Sequence, residues 1–176
     1  NNDNFFINKG VQFIQNEINE NSWSFTVGIN SATTRSINSL CGLEEPENWQ
    51  DDANFDPCVT KNLLPNEFDW RKPNKNYIGR DCTTPIKDQE NCGSCWAFAT
   101  VAPLESKILI KENSEEDLSE QWLVSCNTAG YGCDGGWWAH SWHSGRTGQC
   151  GGTGAVYERD FGYAASELSC SGPYSH

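Results

Sequence analysis

Apolar positions fall in a few runs of helical period, separated by polar and glycine-containing stretches. Phe5, Phe6, Val11, Phe13, Ile14 and Ile18 recur at roughly helical spacing, which predicts one helix near the start. Trp23-Ser24-Phe25-Thr26-Val27 alternates apolar and polar, the two-residue period of a short strand. A second short helix is expected over 33–43, with Thr34 as cap, Ile37 and Leu40 on one face, and Cys41-Gly42 ending it. Residues 44–63 are acidic and contain Pro46 and Pro57, so they read as a linker, an exposed tether open to cleavage. Residues 72–87 read as loop. From Ser94 to about Lys111, the side chains Phe98, Val101, Ala102, Leu104, Ile108 and Ile110 cover more than one face, which predicts a buried central helix. Pro103 inside it either bends the helix or ends its first segment. A further helix is expected over Asp117–Cys126, capped by Ser119. Gly145, Gly148, Gly151, Gly152 and Gly154 mark a long flexible loop.

Composition narrows the class. The chain has 176 residues, enough for one modest domain or a domain with an appendage. Eight Trp, eight Phe and nine Cys predict an aromatic-rich, disulfide-stapled core in an oxidising compartment. An odd cysteine count leaves one thiol over, which a reactive cysteine would explain. The net charge of −12 argues against a nucleic-acid surface. No run approaches 18 apolar residues, so no membrane span is expected. The chain holds no Met and starts at Asn1 without an apolar leader, which reads as a secreted protein that is processed or only partly covered by this sequence.

The stretch Asp88-Gln89-Glu90-Asn91-Cys92-Gly93-Ser94-Cys95-Trp96 carries the candidate chemistry. Cys95 falls at the first turn of the predicted central helix, where backbone N–H groups and the helix dipole favour a thiolate, the nucleophilic form. Cys92-x-x-Cys95 can also be written as a redox pair or half a zinc site. Neither explains Gln89. Cys92-Gly93-Ser94-Cys95-Trp96 resembles the nucleophile signature of papain-like cysteine proteases in full. Tyr131-Gly132-Cys133-Asp134-Gly135-Gly136, just after Cys126, is a second match, and Phe161-Gly162-Tyr163 … Cys170 a third, with Gly162 where the family usually has proline.

The resemblance implies roles residue by residue. Cys95 would be the nucleophile. Gln89, six positions earlier, and the Cys95 backbone N–H would stabilise the oxyanion, at about 3 kcal/mol per donor. Gly93, Gly135 and Gly136 would bind the substrate backbone, although Gly135-Gly136 also fits a tight turn. Trp137 and Trp138 would wall an apolar subsite or serve as core packing. The family keeps a buried glutamate where Glu105 stands; an exposed acid is the simpler alternative. His140 and His143 near Cys150 can be written as a metal site, but no second ligand cluster supports one, so neither metal nor cofactor is expected. The family pattern pairs Cys92 with Cys133 and Cys126 with Cys170. Cys41, Cys58, Cys82 and Cys150 allow three pairings, of which Cys82–Cys150 with Cys41–Cys58 is the expectation. Cys41 can instead remain a free thiol beside the active site.

Residues 1–63 resemble the short pro-region of cathepsin B-like enzymes, which crosses and blocks the cleft, with Gly42 passing close to Cys95. An ordinary N-terminal subdomain is the alternative. Leu64–Arg71 looks like a mature N-terminus. The family's catalytic histidine and asparagine lie about 130–150 residues after the nucleophile. This chain ends at His176, too soon for them. The implied fold is α+β and papain-like, with a pro-region over 1–63, the mainly helical left subdomain over 64–176 and the β-rich right subdomain missing. That second half is expected as a separate chain, as an unseen continuation, or not at all. The implied function is thiol-dependent peptide-bond hydrolysis in a secreted or lysosomal setting. The alternative is a non-catalytic binding or structural protein of the same fold.

Overall fold

The computed structural model describes residues 2–49, 69–71, 80–144, 148, 154–170 and 172. Among these the architecture is helical, with isolated β-bridges and no extended strand. Helix α1 spans Asn2–Glu20. It closes where Ser22 turns to φ 54° and the Trp23 N–H donates back to the Ile18 carbonyl at 3.0 Å, a Schellman-type stop. Its apolar positions are unevenly used: Ile18 is buried, whereas Phe13 is 65% exposed.

Two expectations need correction here. The strand over Trp23–Val27 does not form. Trp23 and Phe25, which the two-residue period puts on one side, instead stack on each other at 5.8 Å. The alternation is present in the sequence, but a strand needs a neighbouring ladder, and none is present among the described residues. The single helix over 33–43 is also replaced by two short turns. A 3-10 turn, Ser31–Thr34, is capped by Asn30, whose side chain accepts from the Ala32 and Thr33 N–H groups. Helix α2, Ile37–Leu40, is capped by Ser36. Extended backbone at Arg35 separates them, so Thr34 ends a turn rather than starting a helix. The expected processing boundary falls within 50–68, outside the described residues.

Helix α3 runs Cys95–Glu112, straight through Pro103, and ends at Asn113 in the left-handed conformation. Helix α4 is Glu120–Cys126, with the Ser119 hydroxyl accepting from the Trp122 N–H at 2.9 Å. Helix α5 is the single turn Ser141–Ser144. Trp96, Ala97 and Val101 of α3 pack with Trp122, Leu123 and Val124 of α4 and with Ala139, Trp142 and Val156. Each large buried side chain contributes roughly 1.5–3 kcal/mol. Two disulfides, Cys92–Cys133 and Cys126–Cys170, staple this core. In a chain-entropy account each is worth about 3–4 kcal/mol.

A buried charge cluster fixes the loop that enters the site. Lys87 Nζ lies 3.0 Å from Glu105, 3.0 Å from Glu120 and 2.8 Å from Asp117. It also donates to the Leu118 carbonyl. Glu105 is fully buried and accepts the Leu118 N–H at 2.8 Å, which settles the question of its exposure. One ammonium shared by several carboxylates splits their behaviour. Burial works against the Lys87 charge, but the hydrogen bond with Asp117 and the carboxylates of Glu120 and Glu105 outweigh it and hold Lys87 protonated. Burial outweighs Lys87 at Glu120 and pushes that carboxyl up to about 7.

Candidate active site

Cys95 is the first residue of α3. Just before it, Gly93 is pinned by its N–H donating to the Cys133 carbonyl at 2.8 Å. A Cβ at Gly93 would fall 2.6 Å from that oxygen, so the tight approach requires glycine. Ser94 holds the N-cap position yet makes no side-chain cap. The Cys92–Cys133 disulfide ties this loop to the strip carrying Gly135 and Gly136. That strip folds back through reciprocal Gly132 and Gly135 bonds, and the Trp96 indole donates to the Gly132 carbonyl at 3.1 Å.

The segment after α2 lies along this surface. The Gly42 N–H points at the Cys95 thiol, 3.3 Å from Sγ. The Gly136 N–H donates to the Gly42 carbonyl at 2.8 Å, and the Glu44 N–H donates to the Gly136 carbonyl at 2.9 Å, a parallel bridge centred on Leu43. A Cβ at Gly42 would sit 1.5 Å from the Gly93 oxygen. The Gln89 amide donates to the Cys92 carbonyl at 2.9 Å and to the Ser39 carbonyl at 3.2 Å. Helix α2 and the segment after it together reach Cys95, Gln89, Gly93, Gly135 and Gly136. An Arg35–Asp88 fork, with contacts of 2.6 and 2.8 Å, anchors its upstream end. The hydrogen bond from Arg35, helped by the Glu90 N–H, holds Asp88 down at about 2.

Leu43, Trp96, Trp137 and Trp138 line an apolar groove of about 680 Å³. Pro103 of α3 lines the same groove. Trp137 is half-buried and packs against Trp49 at 5.9 Å; Trp138 is exposed and its indole N–H donates to His140 Nε2. His143 lies against the Trp122 ring at 6.0 Å. Burial, with a contribution from His140, pushes His143 down to about 4, and burial lowers His140 as well. Both rings are therefore neutral near pH 7. Among the described residues no group of three or more His, Cys, Asp or Glu could hold a metal ion.

The other two expected pairings, Cys82–Cys150 and Cys41–Cys58, each involve a cysteine outside the described residues. Among the described residues Cys41 and Cys82 carry free thiols, as does Cys95. Cys82 is fully buried, with its thiol against the Arg80 carbonyl at 3.6 Å; Cys41 is exposed. Sequence reasoning missed the Arg35–Asp88 fork and the hydroxyl of Tyr163, which reaches the Gln89 carbonyl at 2.8 Å. No local pattern links residues this far apart; an isolated arginine in an acid-rich N-terminal third was the one available signal.

Comparison with known proteins agrees with this geometry. Residues 64–175 match the family profile described as papain family cysteine protease. The chain is 37% identical over 131 residues to the viral cathepsin of Choristoneura fumiferana defective polyhedrosis virus, covering 71% of this chain and 37% of that protein. It is 37% identical over 133 residues to ananain of Ananas comosus, covering 72% of this chain and 36% of ananain. The structure superposes on the proform of the ragweed pollen cysteine protease Amb a 11 with a TM-score of 0.67 at 26% identity, over 96% of this chain and 52% of that one. It also shares its fold with digestive procathepsin L2 of Tenebrio molitor, with a TM-score of 0.71 at 24% identity over 94% of this chain and 53% of that one. The chain thus spans about a third of the curated relatives and about half of the solved chains. With its signature loop, central helix, glycine strip and these matches, the chain belongs to the papain family of cysteine proteases.

Proposed function

We propose that the protein carrying this chain is a thiol-dependent peptidase made as a zymogen. Cys95 attacks the substrate carbonyl as a thiolate, forming a C–S bond and an oxyanion. The Gln89 amide and the Cys95 N–H hold that oxyanion. The C–N bond then breaks and the amine leaves with a proton, giving an acyl-enzyme that water hydrolyses to acid and thiolate. The proton carrier is a histidine in a part of the protein outside this chain. Gly93, Gly135 and Gly136 hold the substrate backbone, and Trp137 and Trp138 wall an apolar subsite. Residues 1–63 are the inhibitory pro-region and 64–176 the left subdomain of the peptidase. Its substrates are peptides or proteins. The disulfides suit a secreted or lysosomal compartment. No described helix is long and apolar enough to cross a membrane.

The observation that carries this reading is the Gly42 N–H on the Cys95 thiol, with the 42–44 backbone bridged to Gly136. A peptide already lies where a substrate would, and its glycine puts no side chain in the cleft. Cys95→Ala in the full protein, freed of residues 1–63, should lose peptidase activity by about a thousandfold or more. Retention of full activity would remove the nucleophile from the scheme. A Cys95 that resists a thiol-directed peptide inhibitor after the same processing would favour a non-catalytic binding protein instead.

A further inference from the structure

The two oxyanion donors sit on different parts of one short loop, and something must hold their separation. Gln89 carries one donor on its side chain; Cys95 carries the other on its backbone. Tyr163, far along the chain, reaches between them. Its hydroxyl donates to the Gln89 carbonyl at 2.8 Å. The same oxygen lies 2.6 Å from Ser94 Oγ. A phenol has a single hydrogen. With that hydrogen on Gln89, the Ser94 hydroxyl is the donor to the Tyr163 oxygen. The chain of bonds is directional, from Ser94 through Tyr163 to the Gln89 carbonyl, and each bond polarises the next.

Ser94 gives up an ordinary role for this. A serine at the N-cap usually accepts a free N–H of the first helical turn. Ser94 is fully buried at that position and makes no such cap. Its shortest side-chain contact is Tyr163, and the Cys92 carbonyl is farther at 3.4 Å. Tyr163 is itself held rigidly. Its ring meets Phe98 of α3 edge-on at 5.0 Å. Its N–H donates to Glu158 at 2.7 Å, and the next N–H, of Ala164, donates to the buried Gln121 at 2.8 Å. Burial raises the phenol pKa, so the hydroxyl keeps its proton.

We infer that Tyr163 is a positioning residue that, with Ser94, sets the distance between the Gln89 amide and the Cys95 N–H. This rests on the peptidase reading. Tyr163 touches no substrate; it acts through Gln89.

The test uses the processed full protein and the variant Tyr163→Phe, which keeps the ring against Phe98. kcat should fall about tenfold with KM nearly unchanged, because oxyanion contacts count in the transition state. A peptide aldehyde, which forms an oxyanion on Cys95, should bind about tenfold more weakly. The rate at which iodoacetamide alkylates Cys95 should stay the same, since alkylation forms no oxyanion. In a Gln89→Ala background, Tyr163→Phe should add little further loss. An equal loss in that background, or full kcat and aldehyde affinity in the single variant, would overturn the inference while leaving the peptidase intact. A wild-type protein that neither cleaves peptides nor binds the aldehyde would overturn the peptidase reading itself, and the inference with it.

Discussion

At the scale of single residues, three glycines leave room where a side chain would collide with a neighbouring backbone or ring. Gly42 and Gly93 cross with no room for a side chain; a Cβ on Gly42 would overlap the Gly93 oxygen at 1.5 Å. Gly136 has the Trp96 indole where its Cβ would be, at 2.7 Å. The 42–44 segment can thus cross Gly93 beside Cys95 only because residue 42 carries no side chain. Gly42→Ala should unseat the segment from the cleft. Activity before removal of residues 1–63 is expected to rise at least tenfold over the parent protein, read with a fluorogenic peptide under conditions that block cleavage of residues 44–63. Unchanged activity would mean that the contact at Cys95 does not hold the segment in place. The cysteine-to-glycine pattern around Cys95 was legible in the sequence because it is local. The matching glycine from the N-terminal side could be named only through family resemblance.

At the scale of elements, the N-terminal segment is held at two separate points. The Arg35–Asp88 fork clamps it upstream of α2, and the bridge to Gly136 clamps it downstream. Of the two anchors only the fork contains titratable groups, since the bridge is made of backbone hydrogen bonds. Asp88 is held down at about 2 against an ordinary value of 3.8. A depressed carboxyl keeps its stabilising contact above its ordinary value and loses it as pH falls through about 2. The fork therefore stays intact across pH 4–7 and cannot act as an acid trigger in that range. Arg35→Ala should speed autoprocessing several-fold at every pH from 4 to 7 without moving the pH midpoint, measured as loss of the uncleaved band on a gel. A shifted midpoint would put an acid-sensitive step at this fork. The helices around it were predicted unevenly. Helix α3 was strongly marked by its apolar run, whereas the stretch 31–40 held two competing caps, Asn30 and Ser36. Two short turns with their own caps outcompete one helix when Arg35 is pulled into extended backbone to reach Asp88.

At the scale of the whole molecule, α3, α4 and the loop carrying Gln89 are joined by Lys87 and its carboxylates. Glu120 stands at about 7 in the fold against an ordinary value of 4.5. The folded state thus binds a proton that the unfolded chain releases. The stability from this group is full below about pH 4.5 and is lost as pH rises through about 7. Glu120→Gln, which mimics the protonated acid, should be about 2 kcal/mol more stable than the parent at pH 7.5 and near equal at pH 4.5. Denaturant melts at the two pH values read the difference. A parent protein that gains stability relative to the variant as pH rises would show that Lys87 wins at Glu120 after all. The Glu120 contribution alone is thus largest in acid and smallest above pH 7.

The sequence alone was enough for the family, the central helix, the signature loop and the glycine strip, because each is written within a short window whose spacing carries the chemistry. It also carried the expectation of a disulfide-stapled core, which Cys92–Cys133 and Cys126–Cys170 bear out. The burial of Glu105, the Lys87 cluster, the Arg35–Asp88 fork and the hydroxyl chain from Ser94 through Tyr163 to Gln89 were decided by tertiary structure. Each joins residues tens of positions apart through one or two polar atoms, and no periodicity records such a meeting. The strand expected at Trp23–Val27 failed for the complementary reason. Alternation is a local property, but a strand exists only where a second backbone completes its hydrogen bonds.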